Sequence, residues 1–456
     1  MKRTLFRHFV CICLLAMVSS AFGQSKLPKV TFTDTRLDNG LRVIIAEDHF
    51  APVFSIDVTY NTGSANERKG RTGFAHLFEH MMFEGSRNVG KGEHMFLVQN
   101  YGGSMNGTTN EDRTTYFEEL PKNQVDLALF LEADRMKALN ITQANLDNQR
   151  NAVQEERRLR VDNQPYGKSF EALDTLAFDS FPYHHSVIGS MEDLNAASIE
   201  DVKDFFRVYY APNNAILTLV GDLDPKITME KVKKYFGDIP RQPAPPEVNF
   251  TEPDHDKERV KTMQDPLARL PQVIAAYNVP KGNTPDDYAL QVLSQVLSSG
   301  RSSRFYQHLV HDKQLALNAF GFMQVRKGPS LFYLFATPRP GVKVEDLQKA
   351  MDDEIEAVKK DGITPEELAK VRTQILRQQI QTRSSTLFTS IQLGQYTDYY
   401  NDPNLINTVY DKLTAVTADQ VKQVAQKYLV PAHRSVVITM PAARPAAAAH
   451  AAAGKR

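Results

Sequence analysis

The chain has 456 residues, with 54 basic and 54 acidic side chains that cancel to a formal net charge of zero. That balance shows no bias toward nucleic acid or an anionic membrane, so electrostatics points to no such partner. The two cysteines, Cys11 and Cys13, both lie in the first 23 residues, so the rest of the chain has no thiol to oxidise and must rest on a large core.

In chain order, Lys2, Arg3 and Arg7 precede an apolar run from Phe9 to Val18, and small residues follow at Ala21 and Gly23. This is the pattern of a secretory signal peptide, too short for a membrane span. Cleavage near Gly23/Gln24 leaves 51 bases against 54 acids, or −3, and places the mature protein in the periplasm or outside the cell. No small-residue cleavage box precedes Cys11 or Cys13, which argues against a lipid anchor. No later stretch reaches the roughly 20 apolar residues that a membrane helix needs.

Asn39-Gly40 between two short alternating runs predicts a hairpin, with Leu41 to Ala46 as its second strand. Pro52 to Tyr60 reads as a strand, and Ser104 to Leu120 as two strands around Asn110-Glu111-Asp112. A helix is expected from Pro121 to Leu139, and another from Gln143 to about Arg160 with Thr142 as N-cap. Phe170 to Phe181 and Ser198 to Tyr210 read as helices and Ala215 to Val220 as a strand.

Between the early strands, Phe74, Leu77, Phe78, Met81 and Met82 recur at helical spacing, bounded by Gly73 and Gly85. His76 and His80 are four apart on that helix, so their side chains project from one face, one turn apart, and can grip one cation. Glu79 stands between them, and a carboxylate beside a metal can take a proton from its bound water. This H-x-x-E-H arrangement is a zinc-peptidase signature. The bland alternative is a helix whose histidines only hydrogen-bond in the core. A catalytic zinc needs a third protein ligand, and Glu155-Glu156 is the obvious source, although such a pair followed by Arg157 and Arg158 is more often a solvated face.

The second half of the chain echoes the first. Pro52 and Pro271, Leu194 and Leu413, Val202 and Val421, Tyr209 and Tyr428, and Pro212 and Pro431 all match at an offset of 219. Small register shifts between them set Gln291, Ser294 and Gln295 where His76, Glu79 and His80 stand, and Gln378 opposite Glu156. Amides are poor zinc ligands and cannot act as a base. One copy of a duplication has therefore kept its scaffold and lost every candidate metal group, as expected if the four act as a set. The chain divides into a signal peptide (1–23), a metal-bearing domain (24–239), a proline-rich linker (240–262), a degenerate repeat domain (263–440) and a disordered Ala/Pro tail (441–456).

Taken together, Gly73-x-x-His76-x-x-Glu79-His80, Gly102-Gly103 with Asn106-Gly107-x-Thr109, Thr115-Tyr116 and Arg150-Asn151-Ala152-Val153-x-x-Glu156 resemble the pitrilysin and insulinase family of zinc peptidases. The likeness is to its short branch, which includes bacterial and mitochondrial processing peptidases. It implies an α+β fold of two homologous domains, each a mainly antiparallel sheet backed by helices, forming half of a clamshell that a second subunit completes. It selects Glu156 over Glu155 as third ligand, beside His76 and His80, to one Zn²⁺ per chain, and makes Glu79 the general base. Peptides would lie extended against Ser104 to Thr109, with Asn106, Gly107 and Thr108 positioning them.

Three departures stand out against that family. Gln149 replaces a frequent second glutamate, Gly107 a usual alanine, and Val310 and Leu317 an Arg and Tyr that reach the substrate. The last departure implies a heterodimer whose partner supplies those groups. The competing reading is a non-catalytic assembly or chaperone-like subunit of the same fold.

Overall fold

Two twisted sheets carry the molecule in the computed structural model, which describes residues 27–442. The predicted signal peptide with both cysteines, and the tail beyond Ala442, lie outside the described residues. The first sheet contains β1 (Phe32–Arg36), β2 (Arg42–Glu47), β3 (Val53–Tyr60), β4 (Ser104–Thr109), β5 (Thr114–Pro121) and β6 (Ala215–Gly221) in the order β1-β2-β6-β3-β5-β4. The second contains β7 (Arg259–Asp265), β8 (Gln272–Val279), β9 (Ala316–Gln324), β10 (Ser330–Pro338) and β11 (Arg434–Pro441) in the order β7-β11-β8-β10-β9.

Without β1, the first sheet has the strand pattern of the second. In each, one parallel pair (β2–β6, β7–β11) is followed by three antiparallel pairs. The Asn39-Gly40 hairpin forms as expected, with Arg36 opposite Arg42, and adds β1 as an extra edge that the second half does not have.

Six helices matter for the site: α1 (Phe74–Met81), α2 (Gln143–Arg157), α3 (Gly167–Ala177), α4 (Pro285–Ser298), α5 (Pro365–Arg383) and α6 (Thr386–Tyr400). Along β3, Phe54, Ile56, Val58 and Tyr60 enter the first core, while Ser55, Asp57 and Thr59 point to the opposite face. An isolated strand of this pattern would leave that polar face in water. Here α6, from the second half of the chain, covers it. Ser55 Oγ meets Thr386 Oγ1 at 2.8 Å, and Gly394 passes so close that a Cβ there would lie 2.5 Å from Asp57 Oδ2.

The exchange is reciprocal. Helix α3 leaves the first half and seals the second sheet, where its Ala172, Leu173 and Ala177 join Ile274, Ala276, Tyr333 and Val437 in one apolar cluster. A fully buried leucine such as Leu173 stabilises by roughly 1.5–3 kcal/mol, so this seat binds the halves together.

Several elements differ from the sequence reading, among them the helix read as Phe170 to Phe181, which is Gly167–Ala177, and the unread helix Pro225–Phe236. Pro121 closes β5 rather than opening a helix; a short turn at Lys122–Gln124 follows, and the helix proper is Val125–Lys137. The helix Glu93–Asn100 was not foreseen, because only His94 and Val98 are buried while Met95 and Phe96 are exposed, so it has no clear apolar stripe. Residues 240–258 carry no helix or strand, and β7 starts at Arg259.

Candidate metal centre

The start of α1 is fixed by two devices. Gly73 takes a φ of 84°, and a Cβ there would come 2.6 Å from Ile188 O, so glycine is required. The buried carboxylate of Glu67 accepts the N–H groups of Gly73 (2.9 Å) and Ala75 (2.8 Å), satisfying donors that a helix N-terminus leaves open. Burial pushes the Glu67 carboxyl well above its ordinary range. Phe74, Leu77, Phe78 and Met81 anchor α1 in the first core, Phe78 stacking on Phe206 with ring centres 5.8 Å apart. This leaves His76, Glu79 and His80 on the half-buried side.

Helix α2 begins at Thr142, whose side chain accepts the N–H of Asn145 as predicted, and is anchored by buried Leu146 and Val153. That registration turns Glu156 toward α1. Its Oε2 lies 3.5 Å from His76 Nε2 and 3.3 Å from His80 Nε2, and the two imidazole centres are 4.8 Å apart. The other oxygen, Oε1, forms an ion pair with Arg160 Nη1 at 2.8 Å. Glu155 points elsewhere and pairs with exposed Arg158 at 3.0 Å.

Two nitrogens and one carboxylate oxygen at mutual distances of this size suit a tetrahedral ion with one position left for water. Among the described residues two other groups of one histidine and two acids come comparably close, His94/Glu118/Glu132 and Asp179/Glu252/His255. In both, an arginine already holds a carboxylate by both oxygens: Arg135 on Glu132, and Arg259 on Asp179 at 2.9 and 2.6 Å. At Glu156, by contrast, no arginine spans the carboxylate, and Oε2 stays turned to both imidazoles.

Charge is divided unevenly over the site. Burial, then the neighbouring His80, lowers the His76 pKa to about 4. Burial also acts to lower His80, but its contact with Glu156 and the charge of Glu79 outweigh this and raise it. The contact with His80 holds Glu156 below the usual carboxylate range. Burial raises Glu79, opposed by a hydroxyl bond from Thr109 Oγ1 to its Oε2 at 2.5 Å. Thr109 thus positions Glu79, a role its place in the motif did not disclose.

Among the described residues, strand β4 forms the outer edge of its sheet and pairs only with β5. Asn106 and Thr108 on it are exposed, whereas Gly107 is buried. A methyl group on Gly107 would stand 3.2 Å from Glu79 Cγ and from Tyr116 Cδ1, so the missing side chain makes room for Glu79. In the second half, Gln291, Ser294 and Gln295 on α4 and Gln378 on α5 line one cavity of about 490 Å³ against Phe320 to Met323 of β9. The four counterparts are therefore gathered in space as the four site residues are. Val310 is half-buried, its carbonyl accepting from Arg339 at 3.2 Å, and Leu317 is exposed on β9.

The fold and this residue pattern define a two-domain peptidase-type chain. Residues 42–190 match the family described as Insulinase (Peptidase family M16), and residues 196–375 the one described as Peptidase M16 inactive domain. The chain belongs to this M16, or insulinase, family. It is 32% identical to the Zinc protease PqqE of Helicobacter pylori over 94% of this chain and 97% of that protein. It is 23% identical to a probable mitochondrial-processing peptidase subunit beta of Arabidopsis thaliana, over 87% and 76%.

Among solved structures, a protease from Helicobacter pylori superposes with a TM-score of 0.88 at 31% identity, over 91% of this chain and 100% of that one. The periplasmic protease PqqL from Escherichia coli shares the fold at 18% identity, with a TM-score of 0.74 over 91% of this chain and 48% of that one.

Proposed function

We propose that this chain is the metal-bearing subunit of a zinc-dependent endopeptidase that cleaves short or unfolded peptides outside the cytoplasm. The observation that carries the reading is the approach of one Glu156 oxygen to both imidazoles, 3.3 and 3.5 Å. His76, His80 and Glu156 would hold the ion. When bound, zinc supplies a water of near-neutral pKa and an electrophile for the scissile carbonyl. Glu79, half-buried and held at Oε2 by Thr109, would be the base that accepts a proton from that water and returns it to the leaving amine. Its raised pKa brings it nearer the working pH, where such a transfer is most efficient.

Substrate in extended form adds to the free edge of β4, with main-chain bonds at Asn106, Gly107 and Thr108 reading conformation more than sequence. Val310 and Leu317 offer no side-chain donor to such a peptide, which supports a heterodimer whose partner chain provides it. Export is supported by the basic–apolar–small pattern of residues 1–23 and by the periplasmic relative. Among the described residues no helix is long and apolar enough to cross a membrane.

A second reading, a non-catalytic subunit of the same fold, is favoured by the match of residues 196–375 to an inactive domain. Metal analysis with the Glu79→Gln variant separates the two. An enzyme binds about one zinc per chain and loses peptidase activity in the variant by roughly 10²–10⁴-fold. A chain without zinc, or a variant as active as wild type, would refute the leading reading.

A further inference from the structure

His80 has two ring nitrogens, and only one can face a metal. Its Nε2 is turned to Glu156, while Nδ1 lies 3.3 Å from Gln149 Oε1. The amide of Gln149 is oriented by its other end. Gln149 Nε2 donates to Glu84 Oε1 at 2.6 Å and to Asn148 Oδ1 at 2.8 Å. An ionised carboxylate only accepts, so the NH₂ group must face Glu84 and the carbonyl must face the imidazole. A carbonyl likewise only accepts. In the neutral ring His80 Nδ1 must therefore carry the hydrogen, which leaves the Nε2 lone pair for a cation.

Glu84 is buried, lies one turn beyond His80 just past the end of α1, and its second oxygen is 2.5 Å from Lys91 Nζ. The chain Lys91–Glu84–Gln149–His80 thus places a negative charge one residue further from the site than a carboxylate at position 149 would. His76 has no equivalent tether: its Nδ1 is buried with no hydrogen-bond partner among the described residues. Orientation of the ligand set accordingly depends on the His80 side.

We propose that Glu84, acting through the Gln149 amide, is a positioning residue that sets the tautomer and ring orientation of His80 and so determines metal affinity. This rests on the zinc reading above. Ligand histidines elsewhere gain 10–100-fold in metal affinity from such outer partners, and here the partner is split between an amide and a carboxylate.

The test is zinc affinity, measured by competition with a chromophoric chelator at one pH, on wild type, Glu84→Gln, Gln149→Ala and the charge swap Glu84→Gln/Gln149→Glu. Both single variants should bind about one zinc at saturation with affinity reduced roughly 10–100-fold. The swap returns the carboxylate to position 149, beside His80, and should recover wild-type affinity or exceed it. Thermal unfolding of the zinc-free forms controls for folding, and recovery in the swap is an outcome that a merely structural role of Glu84 would not produce. Single variants that fold and hold zinc as tightly as wild type would overturn the inference and leave the zinc reading intact. A wild-type chain that binds no zinc would overturn both.

Discussion

In the first half of the molecule, α1 presents His76, Glu79 and His80 toward Glu156; in the second, α4 presents Gln291, Ser294 and Gln295 toward a cavity that Gln378 also lines. Strand order is common to both halves, so the sheets do not depend on the site. A carboxamide has no charge to offer a cation and no proton to exchange near neutral pH. The fold is therefore set by apolar spacing and turn chemistry, and the proposed chemistry rests on four side chains whose counterparts differ while the strand order stays the same. The seats of the exchanged helices differ too. Under α6 the first sheet presents Ser55, Asp57 and Thr59, whereas under α3 the second presents Ile274 and Ala276.

The strongest way to sharpen this contrast is to turn one half into the other. Replacing His76, Glu79, His80 and Glu156 by their counterparts Gln, Ser, Gln and Gln should abolish zinc binding and peptidase activity while circular dichroism and the apo melting temperature stay near wild type. Unfolding of that variant would show that the site supports the fold. At the helix seats, Gly394→Ala should destabilise by about 1–3 kcal/mol, read by denaturant unfolding, because the methyl meets Asp57 Oδ2 at 2.5 Å. Wild-type stability there would mean that α6 is not held against β3.

The polar seat also carries a pH signature. Burial raises Asp57 from 3.8 to about 7, although the hydroxyls of Thr59 and Thr115 donate to it and act to lower it. A carboxyl raised on folding favours the folded state below pH 3.8, and that contribution is lost as pH rises through about 7. Asp57→Asn should therefore be more stable than wild type by about 1–3 kcal/mol at pH 8 and little different near pH 4. An equal effect at both pH values would contradict the raised pKa. The smallest effect is expected at β4: Gly107→Ala should lower turnover by less than about tenfold and leave zinc affinity unchanged, since its methyl crowds Glu79 Cγ and none of the three ligands.

Much of the first half was legible because its signals are local. Asn39-Gly40 encodes a hairpin turn within a few residues, and two histidines four apart share a helix face whatever surrounds them. The repeat aligned the second half, and its four counterparts do line one cavity. Hidden were features that only tertiary structure joins. Glu67 caps α1 from six residues before Gly73, outside the spacing of a capping box. Gln149 read as a missing charge, because nothing in the sequence says that Glu84 points at it. The exchange of α3 and α6 was equally invisible, since each helix has an ordinary composition and its partner sheet lies far along the chain.

Whether Glu156 joins His76 and His80 around one ion is tested directly by X-ray absorption at the zinc edge of the wild type and a Glu156→Ala variant. The wild-type shell should be four-coordinate with two imidazole nitrogens at about 2.0–2.1 Å, and the variant should lose a carboxylate oxygen from that shell and bind zinc more weakly. A shell without imidazole, or one unchanged by the substitution, would contradict that arrangement.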